Sequence, residues 1–491
     1  MSPNSEEITA IDLHEQIKSG KRKAREVLDE TFARIDKMDT QVGAFLTLTQ
    51  EHAYQVADEV DRKVAAKENL PMLAGVPIAV KDNINMTGVP TTCGSKILGG
   101  FVSPYGATAY QKLRERLMPV VGKTNMDEFA MGSSTENSAL KVTHNPWDLD
   151  RVPGGSSGGS AAAVSSGEVL ISLGSDTGGS VRQPAALCGV YGIKPTYGTV
   201  SRYGLVAFGS SLDQISPFGR NVHDTAATLS AIMGFDPKDS TSVEPQGSQN
   251  YFRDIEMGIR GLKVGYIQEL KGDGMQPEVA TSFDAAIKTL TDMGAEVVPI
   301  SLSTVNLAVA AYYIVATAEA SSNLARFDGV RYGARKEEGV NDIKAMYRKT
   351  RMDGFGAEVK RRIMLGTFSL SSGYYDAFYG KAQKVRKLMR QEFEDAWRDV
   401  DVLICPTSPT TAFKIGEKAD DPVQMYLSDI ATIPVNMTGI PGISIPCGFD
   451  NDNMPIGLQI LGPHFSESLL FRVARAFERE TGLTNLQPKW G

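Results

Sequence analysis

Histidine is scarce in this chain: His14, His52, His144, His223 and His464 are all that 491 residues provide, and none stands beside a serine. A serine nucleophile here is therefore expected to rely on another base. Cysteine is as thin. Cys93, Cys188, Cys405 and Cys447 lie far apart with no Cys-x-x-Cys pair, which argues against a zinc site and fits reduced thiols. A net charge of −7 with no concentrated basic region gives this chain no means of gripping a phosphate backbone alone, and the cluster KRKAR at 21–25 reads as solvated. Uninterrupted apolar runs of bilayer-spanning length are missing, and the start MSPNSEEITAIDLHEQ is acidic and polar where a signal peptide needs basic and then apolar residues. A cytoplasmic location and no membrane partner are expected. No repeat of fixed period or low-complexity tract points to a solenoid.

What is present fits a large α/β enzyme. Hydrophobic residues at 42 % and charged residues at 22 % exclude a disordered or fibrous chain, and the length suffices for one big domain around a single sheet. Residues 8–65 read as three amphipathic helices, with Ile8, Ile11, Leu13 and Ile17 on one face and Val27, Leu28, Phe32 and Ile35 on the next. Residues 1–66 are therefore expected to form an N-terminal helical extension to a main domain at 67–491. From Leu73 short apolar runs alternate with helical segments: VPIAV at 76–80, MPVVG at 118–122, VLISL at 169–173, LKVGYI at 262–267 and DVLICP at 401–406. Helices are expected at 107–117, 159–167, 277–293, 305–325 and 375–399. The pattern predicts a mixed, twisted central sheet covered by helices on both faces. The polar stretch at 235–250 reads as a loop or hinge.

The chemistry concentrates between Arg151 and Ser180, where RVPGGSSGGSAAAVSSGEVLISLGSDTGGS sets Ser156 and Ser180 in two glycine-rich turns. Attack on an amide carbonyl by a serine needs a base for its proton and donors for the oxyanion. The turn SDTGGS can gather the N–H groups of Thr177, Gly178, Gly179 and Ser180 around one anion. Lys81 ends the apolar run LAGVPIAVK, so a strand can carry its amine into the interior, where burial lowers an amine toward ~7 to 8 and makes it a base. Ser156 can relay the proton of Ser180 to Lys81.

Three other patterns compete. Gly154-x-Ser156-x-Gly158 matches a nucleophile elbow, but RVPGG is a poor strand and no histidine has supporting context. Ser138-x-x-Lys141 lacks the companion motifs of β-lactamases, and Gly122-Lys123-Thr124 lacks the earlier glycine of a P-loop because Leu117 stands there. ATP is therefore not expected to bind this chain.

The spacing of Lys81, Ser156 and Ser180, with the block GGSSGGSAAAV...GSDTGGSVRQPAALCGVYGIKPTYG at 154–198, resembles the amidase signature family. That resemblance implies the amidase signature fold, Ser180 as acylated nucleophile, Ser156 as relay after a cis peptide bond from Gly155, and Lys81 as base. The segments SSNLARFDGVRYG at 321–333, FGAEVKRRIMLGTFSLSSGYYDAFY at 355–379 and MYLSDIATIPVNMTGIPGISIP at 425–446 resemble the branch that serves tRNA-dependent amidotransferases. Its members hydrolyse glutamine and pass ammonia through a tunnel to a tRNA-binding kinase/transamidase partner, with which a small third subunit is assembled. ATP and magnesium are expected on the kinase/transamidase partner, as is most contact with aminoacyl-tRNA. No cofactor or metal is expected in this chain. A free amino acid presents opposite charges beside its amide, which calls for an arginine fork and an acid. The resemblance assigns these to one of the pair Arg361 and Arg362, with Arg362 favoured, and to Asp429, with Tyr313 nearby and Gly132 and Ser133 lining the pocket. A free-standing amidase for another small amide is the alternative. A non-catalytic scaffold is opposed by the retention of Lys81, Ser156 and Ser180.

Overall fold

Three short, wholly buried runs, IAVK, VVGKT and ISLGSD, lie side by side and set the frame for the rest of the chain. They are strands of a sheet seen in a computed structural model that describes residues 8–488 except 245, 247–249, 273 and 420. Among the described residues the sheet has eleven strands: β1 Phe45–Leu48, β2 Ile78–Lys81, β3 Val120–Thr124, β4 Ile171–Asp176, β5 Tyr191–Lys194, β6 Gln214–Gly219, β7 Lys263–Ile267, β8 Glu296–Ile300, β9 Val402–Pro406, β10 Gly442–Phe449 and β11 Pro455–Leu461. Their spatial order is β1-β3-β2-β4-β6-β5-β10-β11-β9-β7-β8. β3, β2 and β4 run parallel, as do β9, β7 and β8, while the intervening pairs are antiparallel. Strands covered on both faces are apolar nearly throughout, which is why the first group was legible as unbroken runs.

Both faces are covered, as expected. Along β9, Val402 and Ile404 enter one apolar cluster and Leu403 and Cys405 the other, the alternation a strand imposes. The first cluster contains Ile17, Val27, Leu28 and Phe32 together with Val80, Ile171 and Leu173. The N-terminal helices Ala10–Lys18, Ala24–Val42 and Gln50–Ala65 thus share a core with the sheet. Between them β1 joins the sheet antiparallel to β3, so residue 66 is no boundary in packing. FLTL is too short and too close to helical segments to announce itself as a strand.

The expected helices form with shifts at their ends: Thr108–Glu115, Gly158–Ser165, Pro277–Asp292, Ala308–Asn323 and Lys381–Ala396. The last begins late because residues 376–380 take a π turn. β6 and β8 escaped the apolar-run reading because Pro217 and Pro299 sit inside them and read as breaks. The described part of 235–250 is irregular but anchored: Asp236 accepts from Ser201 Oγ at 2.6 Å, and Asp239 from the Arg202 amide at 2.8 Å. The remainder of that proposed hinge, at 245 and 247–249, lies outside the described residues. No described helix is long and apolar enough to cross a membrane.

Candidate active site

Lys81 is the last residue of β2 and is completely buried. Its Nζ lies 2.8 Å from Ser156 Oγ, 2.7 Å from Ser157 Oγ, 2.9 Å from Ser175 Oγ and 3.2 Å from the Ser175 carbonyl oxygen. Ser157 Oγ donates to that same carbonyl at 3.1 Å, so toward Lys81 it acts as acceptor. A neutral amine has two protons and a lone pair. With the protons directed to Ser157 Oγ and the Ser175 carbonyl, the lone pair is left for the Ser156 hydroxyl. Burial pushes the amine down to about 7, against the upward pull of Asp127, Asp176 and Asp213.

Ser156 is reached through a cis peptide bond from Gly155, and its hydroxyl faces Lys81 at the mouth of helix Gly158–Ser165. Ser180 sits on the second glycine turn, between β4 and helix Arg182–Cys188. Its carbonyl accepts from the Ser157 amide at 3.2 Å, which ties the two turns together. Among the described residues its hydroxyl has no hydrogen-bond partner.

Of the four amides expected to form one anion nest, Gly179 is otherwise engaged: it donates to Asp176 Oδ1 at 2.9 Å. The amides of Thr177, Gly178 and Ser180 have no partner among the described residues and stay free to receive an anion. Gly179 has φ of +134°, and a Cβ there would lie 2.0 Å from Thr432 Oγ1. Only glycine fits, and that backbone turns its N–H back toward Asp176.

Asp176 anchors the turn. It accepts from Arg182 Nε at 3.1 Å and Nη2 at 3.0 Å and from Asn436 Nδ2 at 2.9 Å. Burial alone would raise its carboxyl, but the Arg182 charge and these hydrogen bonds hold it at about 2. Arg182, itself fully buried, reaches Gln459 Oε1 at 2.6 Å and the Thr432 carbonyl at 2.9 Å. The first glycine turn is braced by Asp127, whose carboxylate accepts from the amides of Thr135 at 2.8 Å and Asn137 at 3.1 Å. Gln183 accepts from the Gly155 amide at 3.0 Å. Asp127, Asp176, Arg182, Thr432, Asn436 and Gln459 were not singled out from the sequence. Asp176 and Arg182 flank Ser180 within the signature block and were open to notice, whereas Asn436 and Gln459 arrive from remote segments with no linear signal.

A second group lies next to this one. Arg362, on helix Ala357–Ser369, is buried and donates from Nε to Glu358 Oε1 at 2.7 Å. Its guanidinium stands 5.1 Å from the Tyr313 ring centroid and 5.4 Å from that of Tyr426. Those two rings stack at 3.8 Å. Arg361 pairs with Glu358 from the outer side and is 45 % exposed, so Arg362, and not Arg361, is the one turned inward beside Tyr313 and Tyr426. Asp429 is buried; its Oδ2 accepts from Ser133 Oγ at 2.5 Å and its Oδ1 has no hydrogen-bond partner among the described residues. Burial lifts its carboxyl to about 7, although Ser133 and Arg362 draw it down. Gly132 lies against Asp127, where a Cβ would come within 2.4 Å of the carboxylate carbon. Thr432 joins the two groups: its amide donates to the Asp429 carbonyl at 3.1 Å and its Oγ1 to the Gly178 carbonyl at 2.7 Å.

None of the described contacts of His14, His144 or His223 reaches these serines; the first two bond to the carbonyls of Ala74 and Leu149, and His223 faces Glu256. Lys123 forms a buried ion pair with Asp82 at 3.0 Å and serves no phosphate loop. Among the described residues no three His, Cys, Asp or Glu side chains gather as a metal site requires.

A free serine hydroxyl on a glycine turn with unpaired amides, tied by a backbone hydrogen bond to a second turn whose serine meets a buried amine, suits an amide-cleaving enzyme that dispenses with histidine. The chain belongs to the amidase family, whose model matches residues 26–471. The A subunit of the glutamyl-tRNA(Gln) amidotransferase of Desulforamulus reducens is 56 % identical over 483 residues, spanning 98 % of this chain and 99 % of its own. Its counterpart from a Picosynechococcus species is 57 % identical over 480 residues, with 97 % and 99 % covered. The crystal structure of the A subunit of glutamyl-tRNA(Gln) amidotransferase from Thermotoga maritima superposes with a TM-score of 0.79 at 43 % identity, covering 96 % of this chain and 95 % of that one. A 6-aminohexanoate cyclic dimer hydrolase superposes with a TM-score of 0.86 at 26 % identity over 99 % of both chains.

Proposed function

We propose that this chain is the glutamine-hydrolysing subunit of a tRNA-dependent amidotransferase. The reading is carried by one juxtaposition: a buried arginine, Arg362, near a buried carboxylate, Asp429, which Thr432 ties to the turn that holds Ser180. Arg362 is suited to the α-carboxylate of glutamine, and Asp429, with its unpartnered Oδ1, to the α-ammonium. Relatives more than half identical to this chain, named as A subunits of glutamyl-tRNA(Gln) amidotransferases, support the amidotransferase reading.

In this reading Ser180 Oγ attacks the side-chain amide carbon. Its proton passes to Ser156 Oγ as the Ser156 proton passes to Lys81 Nζ. The amides of Thr177, Gly178 and Ser180 receive the oxyanion. Return of the proton by the same relay to the amide nitrogen lets the carbon–nitrogen bond break, releasing ammonia and leaving a glutamyl ester on Ser180. Water, deprotonated through the same relay, cleaves the ester to glutamate. Ammonia then serves transamidation of Glu-tRNA(Gln), Asp-tRNA(Asn) or both on the kinase/transamidase partner, which binds ATP and magnesium. A small third subunit makes the assembly a cytoplasmic heterotrimer.

The test is ammonia release from glutamine by the purified chain, alone and with the kinase/transamidase and small subunits, aminoacyl-tRNA and ATP. Release that rises with the full assembly is the expected result. Failure with glutamine in every combination, with hydrolysis of a simple aliphatic amide, would identify a free-standing amidase instead.

A further inference from the structure

Glu128 is a carboxylate that the proton relay does not use, and it is buried. It follows Asp127, whose amide donates to the Ser156 carbonyl at 3.3 Å, and it opens the single helical turn Glu128–Ala130 that leads to Gly132 and Ser133. Its side chain reaches a different part of the chain. Oε2 accepts from the Gly356 amide at 2.7 Å, and Oε1 accepts from the Ser95 hydroxyl, which also lies 3.2 Å from the Gly354 carbonyl oxygen. Gly356 precedes helix Ala357–Ser369 and has no side chain with which to cap it, so Glu128 supplies a carboxylate to that end from outside. The fit is close: a Cβ at Gly356 would stand 2.4 Å from Glu128 Oε2.

The helix so held carries Arg362, six residues and about 9 Å of axis beyond Gly356. Past Arg362 the helix is fixed by packing, since a Cβ on Gly366 would be 1.9 Å from the Thr317 carbonyl oxygen of helix Ala308–Asn323. At its near end the fixing contacts come from Glu128 and from Phe129, whose ring centroid lies 5.6 Å from that of Phe355. On the other side of the bridge, Phe129 and Ala130 both take the left-handed backbone, with φ of +51° and +62°, which persists only where the surroundings hold it. Three residues further on, Ser133 meets Asp429. We propose that Glu128 is a positioning residue for glutamine recognition, setting the spacing between Arg362 and the Ser133–Asp429 pair, an inference that rests on the functional reading above. Arg362 and Asp429 take the two charges of one α-carbon, so a change in their spacing weakens glutamine binding while Lys81, Ser156 and Ser180 keep their places.

Burial pushes the Glu128 carboxyl up to about 7, against the pull of Ser95, the Gly356 amide, Lys360 and Lys96. The bridge survives protonation. A neutral Glu128 accepts from Gly356 at one oxygen and donates from the other to Ser95 Oγ, whose own proton then goes to the Gly354 carbonyl. The carboxamide of Glu128→Gln offers the same acceptor and donor, which makes it the conservative variant.

The experiment is glutamine hydrolysis by the full chain with the kinase/transamidase and small subunits, joined to equilibrium dialysis of glutamine against the same variants carrying Ser180→Ala. Glu128→Ala is expected to raise KM and Kd for glutamine by about 30-fold with kcat within about threefold, and Glu128→Gln to restore all three constants to within about threefold of wild type. Ser95→Ala, which removes one of the two contacts, should raise KM about fivefold and decides the question if Glu128→Ala does not fold. Glu168→Ala, at a buried carboxylate held by Ser166, should move the thermal midpoint and leave KM unchanged. A loss in kcat with KM unchanged, a Glu128→Gln chain as impaired as Glu128→Ala, or constants that move in none of these variants overturns the proposal. Arg362→Ala measured alongside keeps the two readings apart. A raised Kd there with an unchanged Kd in Glu128→Ala overturns the positioning role alone, whereas a Ser180→Ala chain that binds no glutamine overturns the functional reading with it.

Discussion

The catalytic group and the recognition group lie side by side but are built on opposite plans. Lys81 and Ser175 stand at or near the ends of central strands, Ser180 on the turn after β4, and Ser156 and Ser157 at the mouth of the helix packed against them, and nearly every polar atom there is tied to backbone or to another hydroxyl. Arg362, Tyr313, Tyr426 and Asp429 come from helices and a loop contributed by three separated stretches, held by ring stacking and by one shared carboxylate, Glu358. The first group is rigid because the sheet fixes it. The second depends on helices meeting at the right depth. Chemistry that tolerates no misplacement thus sits on the sheet, and substrate choice sits on elements that related enzymes can replace without disturbing it.

Substitutions should separate the two groups by the kinetic constant they move. Ser180→Ala is expected to lower kcat for glutamine hydrolysis by about 10⁴-fold or more and to abolish the acyl-enzyme, checked by ammonia release and by intact mass after a glutamine pulse. A Ser180→Ala protein that still acylates would break the assignment of the nucleophile. Lys81→Met should come next, with a loss of about 10³-fold.

Arg362→Ala is expected to raise KM for glutamine by about 100-fold, roughly 2.8 kcal/mol, with a smaller change in kcat. Arg361→Ala should stay within about threefold, since that side chain points outward. Steady-state kinetics on both variants decide the pair, and equal effects would mean that the two groups are not distinct.

The pH profile sharpens the comparison. Lys81, pushed down to about 7, must lose its proton to act as base, and Asp429, lifted to about 7, must lose its own to hold an ammonium. Both requirements make kcat/KM rise with pH through about 7, with a limiting slope of two on logarithmic axes. Asp429→Asn should reduce that slope to one and leave the Lys81 limb. An unchanged slope would remove Asp429 from substrate binding. A modest effect is expected from Ser157→Ala, a loss in kcat of less than about tenfold, because Lys81 keeps its contacts with Ser156 and Ser175.

Much of this was open to reading from the chain. The runs that became β2, β3, β4, β7 and β9 are legible because a strand buried on both faces must be apolar nearly throughout. Lys81 stood out because a lysine ending such a run can be carried into the interior with it and keeps the right spacing to both serines. Ser156 and Ser180 stood out because glycine clusters are costly without a use for them. β1, β6 and β8 were hidden by brevity or by an internal proline, since neither length nor propensity records hydrogen bonds made to distant partners.

The sequence by itself pointed to Lys81, Ser156 and Ser180 and to the class of sheet that presents them, because those features depend on local residue types and on apolar periodicity. Tertiary structure alone decided three things. It turned Arg362 inward and Arg361 outward, since adjacent helical positions point about 100° apart and only packing against Tyr313 and Tyr426 says which direction is the interior. It assigned the Gly179 amide to Asp176, since Thr432 leaves room for nothing but a glycine in that conformation. It brought Asn436 and Gln459 to the buried Asp176–Arg182 pair from more than 250 residues away, a distance at which no pattern along the chain signals contact.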